Sequence, residues 1–270
     1  MDLTDEQIER YARHLVLPEI GEEGQERLLG SAVLVVGAGG LGAPLLTYLA
    51  AAGVGRIGVI DDDRVDLSNL QRQVIHDTES VGLPKVESAR RRMAAINPEV
   101  TVETHDRRLT RAGLIELIQR YDVVADGSDN FATRYLLNDA CYLARRPLVS
   151  AAIMRFDGQL STYKAYEAGP CYRCVFGPQP AADPKQSCAD VGVLAMLPGV
   201  MGTLQATEVA KELLGIGDGL VGRLVLYDAL SAEVRKIKTP RDPTCALCGE
   251  TPTIRDLAAV DYGDARICAA

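Results

Sequence analysis

The chain has 270 residues, 47% of them hydrophobic, and a formal net charge of −8. It is long enough to bury a full core, and its acidic balance argues against a nucleic-acid partner, which would need an excess of Lys and Arg on one face. The acidic start "MDLTDEQIER" lacks the basic region and apolar core of an export signal, so the expected location is the cytoplasm.

Thr4 and Gln7 form a T-x-x-Q capping box. It predicts a helix in which Ile8, Tyr11, Ala12 and Leu15 recur at helical spacing and which carries Arg13 and His14. After "GEEGQERLLG" the pattern alternates. A strand is expected near 32–36, a helix from Leu41, a strand at 56–60, a helix at 84–96 and a strand at 100–104. Arg90, Arg91 and Arg92 read as the solvated face of that last helix. "YDVVADGSDN" predicts another strand ending at Asp126, followed by a helix over 130–145. In "PLVSAAIMRFDGQLSTYKAY" two strands are expected, joined at Asp157 and Gly158, because D-G is a hairpin-turn signal. A Pro- and Cys-rich stretch over 169–184, a helix near 199–214 and the strands "RLVLYD" and "AEVRKIK" complete the chain.

Such alternation predicts an α/β fold: a Rossmann-like, mostly parallel sheet flanked by helices, with an antiparallel extension and a small Cys-rich subdomain. The uncharged stretches 28–55 and 191–207 are broken by Gly and Pro and do not read as membrane spans. Neither an internal repeat nor a clean linker divides the chain, so one α/β domain with a small Cys-rich subdomain is expected.

The segment "VLVVGAGGLGAP" places Gly37, Gly39 and Gly42 in a G-x-G-x-x-G turn between a strand and a helix. There the bare backbone lets N–H groups reach phosphate at the positive end of a helix dipole. Asp61 follows Gly42 by 19 positions, where a ribose-binding carboxylate is expected. These features fit NAD and ATP equally. Asn69 and Arg72 in "DDDRVDLSNLQRQ" and Lys85 in "GLPKVESA" favour ATP, because a triphosphate that must release pyrophosphate needs cations around it. Asp129 in "DGSDN" faces the same crevice and suits Mg²⁺, although one of Asp126, Ser128 or Asp129 is also expected to cap the next helix.

Of the seven cysteines, four form two C-x-x-C pairs, Cys171 with Cys174 and Cys245 with Cys248. Such pairs in a cytosolic chain point to one structural zinc held by four thiolates. Cys141 falls inside a helix and reads as core, and Cys268 lies in a tail with little pattern. Cys188, in the loop-like "PKQSCADVG", is either a free buried thiol or an acyl- or sulfur-accepting one.

Together "GAGGLG", "SNLQRQ", "VGLPKVESA", "INP", "DGSDN", "RYLLNDA", "DGQ", "GPCYRC", "LYDA" and "CALCG" resemble the ThiF/MoeB/HesA adenylyltransferases, relatives of the ubiquitin-activating enzymes, over roughly residues 3–250. The resemblance implies a homodimer that uses ATP and Mg²⁺ to adenylate the C-terminal glycine of a small ubiquitin-like sulfur carrier, MoaD-like or ThiS-like, in molybdopterin, thiamine or thiolated-tRNA synthesis. It implies backbone contacts to the nucleotide at Gly40 beside Gly37 and Gly39, with Asp61 on the ribose. Asn69, Arg72 and Lys85 are then on the triphosphate, Asp129 on magnesium, and Asp63 and Asn130 in the same site. Arg13 resembles an arginine supplied by the neighbouring subunit, the four C-x-x-C cysteines a structural zinc site, and Cys188 a cysteine that in some members links to the carrier. On this pattern the chain divides into a helical arm (1–30), a nucleotide-binding part (31–150), a carrier-binding and zinc part (151–250) and a tail (251–270). Many relatives continue into a rhodanese domain. This chain stops after "ICAA", so sulfur is expected from a separate rhodanese or cysteine desulfurase.

The implied reaction is attack of a carboxylate on the α-phosphate. A carboxylate is already nucleophilic at neutral pH, so no general base is required, in keeping with only three histidines, His14, His76 and His105, and no triad-like arrangement. The competing readings are an NAD-dependent oxidoreductase and an inactive, zinc-stapled binding protein.

Overall fold

Short runs of β-branched and aliphatic residues, "AVLVV" and "RIGVI" among them, form strands buried on both faces, as a parallel sheet covered by helices requires. The computed structural model describes residues 3–180 and 192–263. In chain order the elements are α1 (Asp5–Leu15), α2 (Gly21–Leu29), β1 (Ala32–Val36), α3 (Gly42–Ala51), β2 (Arg56–Ile60), α4 (Lys85–Ile96), β3 (Thr101–His105), α5 (Leu114–Gln119), β4 (Val123–Asp126) and α6 (Phe131–Ala144). They continue as β5 (Leu148–Met154), β6 (Asp157–Tyr163), α7 (Tyr172–Phe176), α8 (Leu197–Leu214), β7 (Arg223–Asp228) and β8 (Glu233–Lys238).

The strands make one 8-stranded sheet in the order β3-β2-β1-β4-β5-β6-β7-β8. The first five run parallel and the last three are antiparallel. Alternation along β1 divides the core: Val33 and Val35 pack with α3, α4 and α8 on one face, while Leu34 and Val36 pack with α5 and α6 on the other. Helix α8 crosses α3 so closely that a side chain at Gly202 would meet the Leu41 carbonyl at 2.5 Å. No helix among the described residues is long and apolar enough to cross a membrane.

The Thr4–Gln7 capping box is present, with both reciprocal hydrogen bonds. Arg90 and Arg91 lie exposed on α4 and pair with Glu87, the solvated face expected. Cys141 is buried on α6. The D-G expectation is corrected. Met154 pairs with Asp157 and Ile153 with Gly158, so the turn is Arg155–Phe156, with Arg155 at φ 53°. Gly158 instead makes room for α8, since a Cβ there would meet the Met201 sulfur at 2.4 Å.

Candidate functional site

Strand order reverses between β1 and β4, and a parallel sheet opens a crevice at the carboxyl ends of its strands at such a point. Three connections meet there: Gly37–Leu41 after β1, Asp61–Asp63 after β2 and Gly127–Asn130 after β4. Gly37 adopts φ +94°, and an added Cβ would meet the Gly127 carbonyl at 2.8 Å. At Gly42 a Cβ would stand 1.9 Å from the Gly37 carbonyl, so no other residue lets α3 begin here. Gly39 and Gly40 lie between these points, and neither N–H finds an acceptor among the described residues. Together with the start of α3 they make a cradle for an anion.

Asp61 closes one side of the turn, accepting from the Ala38 N–H at 2.7 Å and from the Asp63 N–H at 2.8 Å. Burial pushes its pKa above the usual aspartate range despite the opposing charge of Lys85. Lys85, at the first position of α4, is 4% exposed and bonds Asp63 at 2.7 Å, while the Lys85 N–H donates to the Asp63 carbonyl. Asp63 is itself 68% exposed, so solvent screens this pair and leaves the ammonium available to a more highly charged ligand. Arg72 follows a 3₁₀ turn at Leu67–Asn69 that Asp66 caps. The aliphatic stem of Arg72 lies beside Gly40, and among the described residues its guanidinium bonds only the Ser68 carbonyl, at 3.2 Å. Asn69 is half-buried on that 3₁₀ turn.

After β4 the cap is Asn130, whose side chain accepts from the Thr133 N–H at 2.9 Å. That corrects the expectation of Asp126, Ser128 or Asp129, and it gives Asn130 a structural task beside the exposed Asp129. Asp126 is instead buried, bonded to Ser128 and Ser150 and paired with Arg134 at 3.3 Å. Arg134 is 2% exposed and also holds the carbonyls of Ser128 and Ala151, so one guanidinium ties β4, β5 and the Asp129 turn together. From the other face Gln205 on α8 donates to the Asp126 and Val149 carbonyls. Sequence reading missed Arg134, Gln205, Gln73 and His76. Gln73 is 4% exposed, and its Nε2 lies against Gly39.

Arg13 stands apart from the crevice of its own chain. On α1, Tyr11 packs on Gly53 and bonds Asn97, and His14 bonds Gln25, which holds the Ala52 carbonyl. Those partners follow the ends of α3 and α4 remote from the glycine turn. Arg13 is exposed on the other side of the helix.

The four cysteines converge. Cys171 Sγ lies 3.7 Å from Cys174 Sγ and 3.6 Å from Cys245 Sγ, and Cys174 Sγ lies 3.4 Å from Cys248 Sγ. A disulfide would require ~2.05 Å, whereas four thiolates around zinc at ~2.3 Å stand about 3.8 Å apart. The cluster therefore fits a closed tetrahedral zinc site. It sits on the second half of α6, where Arg173 bonds Asp139 at 2.7 and 2.8 Å and the Tyr172 N–H bonds Asn138. Tyr262 closes the same carboxylate from the tail at 2.8 Å. Asn138 is eight positions beyond Asn130, roughly 12 Å along the helix, so the cysteine cluster is separate from the crevice. Cys188 and Cys268 lie outside the described residues.

Residues 11–247 match the model of the ThiF family. The chain is 52% identical over 266 residues to a sulfur carrier protein adenylyltransferase of Thermus thermophilus, covering 97% of each. It is 48% identical to the SAMP-activating enzyme E1 of Haloferax volcanii, with 97% of this chain and 96% of that one covered. It is 54% identical to the adenylyltransferase and sulfurtransferase MOCS3 of Bos taurus, where it covers 94% of itself and 56% of the relative. Among solved structures, E. coli MccB with MccA-N7isoASN shares the fold at TM-score 0.76 and 23% identity, covering 89% of this chain and 75% of that one.

Proposed function

The chain belongs to the ThiF family, and on that premise we propose that its crevice binds ATP·Mg²⁺ and adenylates the C-terminal glycine of a small ubiquitin-like sulfur carrier. The observation that carries this reading is the grouping of Arg72 and Lys85 with a glycine turn in which the Gly39 and Gly40 N–H groups have no acceptor among the described residues, beside Asp61. A dinucleotide, whose phosphates the turn alone would serve, has no use for both cations.

The terminal carboxylate of the carrier attacks the α-phosphorus, an O–P bond forms, the α–β phosphoanhydride bond breaks, and pyrophosphate carries away the electron pair. No proton moves in this step, so the site has to hold and neutralise rather than to act as a base. Asp61 takes the ribose hydroxyls and fixes the turn. The N–H groups of Gly39 and Gly40 receive phosphate oxygens, and Arg72, Asn69 and Lys85 attend the triphosphate. Lys85 leaves exposed Asp63 as the nucleotide enters. Asp129 would hold magnesium, which supplies charge neutralisation to the departing pyrophosphate when bound. Asn130 presents Asp129 by capping α6, and Arg134 fixes the turn from beneath. Arg13 acts on the neighbouring site of a homodimer, in keeping with its position on the far side of its own domain. Zinc on Cys171, Cys174, Cys245 and Cys248 braces the tail against α6.

The test is ATP–pyrophosphate exchange with purified carrier proteins. Labelled pyrophosphate should enter ATP when a carrier is present. Absence of exchange with every MoaD-like and ThiS-like carrier would overturn the reading.

A further inference from the structure

His76 is 7% exposed and uses both ring nitrogens. Nε2 lies 2.9 Å from the Ala38 carbonyl in the glycine turn, and Nδ1 lies 2.9 Å from the Ser88 hydroxyl on α4. A carbonyl only accepts, so Nε2 carries the hydrogen, and in the neutral ring Nδ1 then accepts from Ser88. Burial and the nearby Lys85 hold the ring below its ordinary pKa and keep it neutral.

The peptide linking Ala38 to Gly39 is planar and trans, so its C=O and N–H point in opposite directions. Holding the Ala38 oxygen against His76 turns the Gly39 N–H away from the buried ring, towards the crevice, where it has no protein acceptor among the described residues. The preceding peptide is held in its turn by Asp61, which accepts the Ala38 N–H. Both peptide planes ahead of the cradle are thus pinned by side chains from outside the turn. Ser88 lies three positions, just under one helical turn, beyond Lys85, so His76 also ties the glycine turn to the helix that carries the phosphate-binding cation.

We propose that His76 is a positioning residue of the nucleotide site: as the Nε2–H tautomer that the Ala38 carbonyl selects, with its ring held by Ser88, it orients the Ala38–Gly39 peptide so that the Gly39 N–H meets a phosphate oxygen. The proposal rests on the reading that this turn receives the phosphates of ATP.

The experiment compares wild type with His76→Leu, His76→Gln and Ser88→Ala, measuring ATP affinity by calorimetry, KM and kcat in pyrophosphate exchange, and thermal midpoint. His76→Leu should raise Kd and KM for ATP about tenfold, the loss of one well-aimed hydrogen bond, and leave kcat within about twofold. His76→Gln retains a donor close to Nε2 and should recover most of the affinity. Ser88→Ala should shift KM in the same direction by about two- to threefold, since the ring keeps its bond to Ala38 but loses the one on Nδ1 that steadies its orientation. A His76→Leu protein that is less heat-stable yet binds ATP like wild type would overturn the proposal, as would a His76→Gln protein no better than His76→Leu. Should His76→Leu fail to fold, the Gln and Ser88 variants still decide, and unaltered KM in Ser88→Ala with unrecovered KM in His76→Gln overturns it. Failure of wild type itself to bind ATP would count against the nucleotide reading instead.

Discussion

Replacing Arg13 with Ala should silence the enzyme, and mixing that variant with Asp129→Ala should bring part of the activity back. On α1, Tyr11 and His14 face the domain, and Arg13, two positions beyond Tyr11, lies about 200° around the helix from it. Tyr11 packs on Gly53, beyond the end of the 10-residue α3, so the contact lies about 15 Å from the glycine turn where α3 begins. Arg13 is exposed on α1 and its helix packs at the end of α3 remote from the glycine turn, which supports the proposal that it serves a neighbouring site. Removing a charged group aimed at the transferring phosphate costs on the order of 10²-fold or more, so each variant homodimer should be nearly inactive. In a mixed dimer one site combines intact Asp129 with the partner's intact Arg13, and the other lacks both. Random equal mixing makes half of the dimers mixed, each with one good site of two, so activity should recover to about a quarter of wild type. The assay is pyrophosphate exchange after subunit exchange verified by native mass spectrometry. No recovery in verified mixed dimers would refute the assignment of Arg13 to the neighbouring site.

Cys171→Ser should cost most of the bound zinc and lower the melting temperature by about 5–10 °C, taking a few kcal/mol at roughly 2–4 °C each for a chain of this size. Full zinc content by elemental analysis would exclude Cys171 as a ligand. Asp61→Ala should weaken ATP binding, since it removes the proposed ribose acceptor and the anchor of the Ala38 N–H, whereas Asp129→Ala should mainly lower kcat; calorimetry and steady-state kinetics separate the two. Because burial raises the Asp61 pKa from 3.8, ATP affinity should begin to fall on acidification at a higher pH than an ordinary aspartate would give, and Asp61→Asn should lack that step. The sign for stability is opposite. The folded carboxylate takes up its proton before the unfolded one, so the contribution of Asp61 to stability rises as pH falls from its raised value towards 3.8.

Much of the sheet is legible because its strands are continuous apolar runs between turn residues, and β1, β2 and β4 are recognisable from "AVLVV", "RIGVI" and "VVAD". Helix α2 is hidden by Gly21 and Gly24, which weaken helix propensity, and α5 is only six residues long. The D-G pair misleads because Gly158 answers to Met201 on a helix some forty positions later, a demand that local pattern cannot show. In the crevice, Asp61, Arg72, Lys85 and Asp129 are legible as charged residues at the ends of strands or the start of a helix. Arg134 and His76 are not: each looks like an ordinary polar residue until folding buries it against carbonyls from other elements. The cysteine pairs were legible from spacing alone, yet the buried Asp139–Arg173–Tyr262 contact that seats them on α6 joins residues 123 positions apart.

The most direct test of the central claim is mass spectrometry of a ubiquitin-like sulfur carrier incubated with the enzyme, ATP and Mg²⁺, beside the same carrier shortened by its two C-terminal glycines. The full carrier should gain a single adenylate at its terminal carboxylate, with pyrophosphate released in equal amount, and the shortened one should gain none. Adenylate on the shortened carrier, or pyrophosphate release that does not depend on the terminal glycines, would contradict the account.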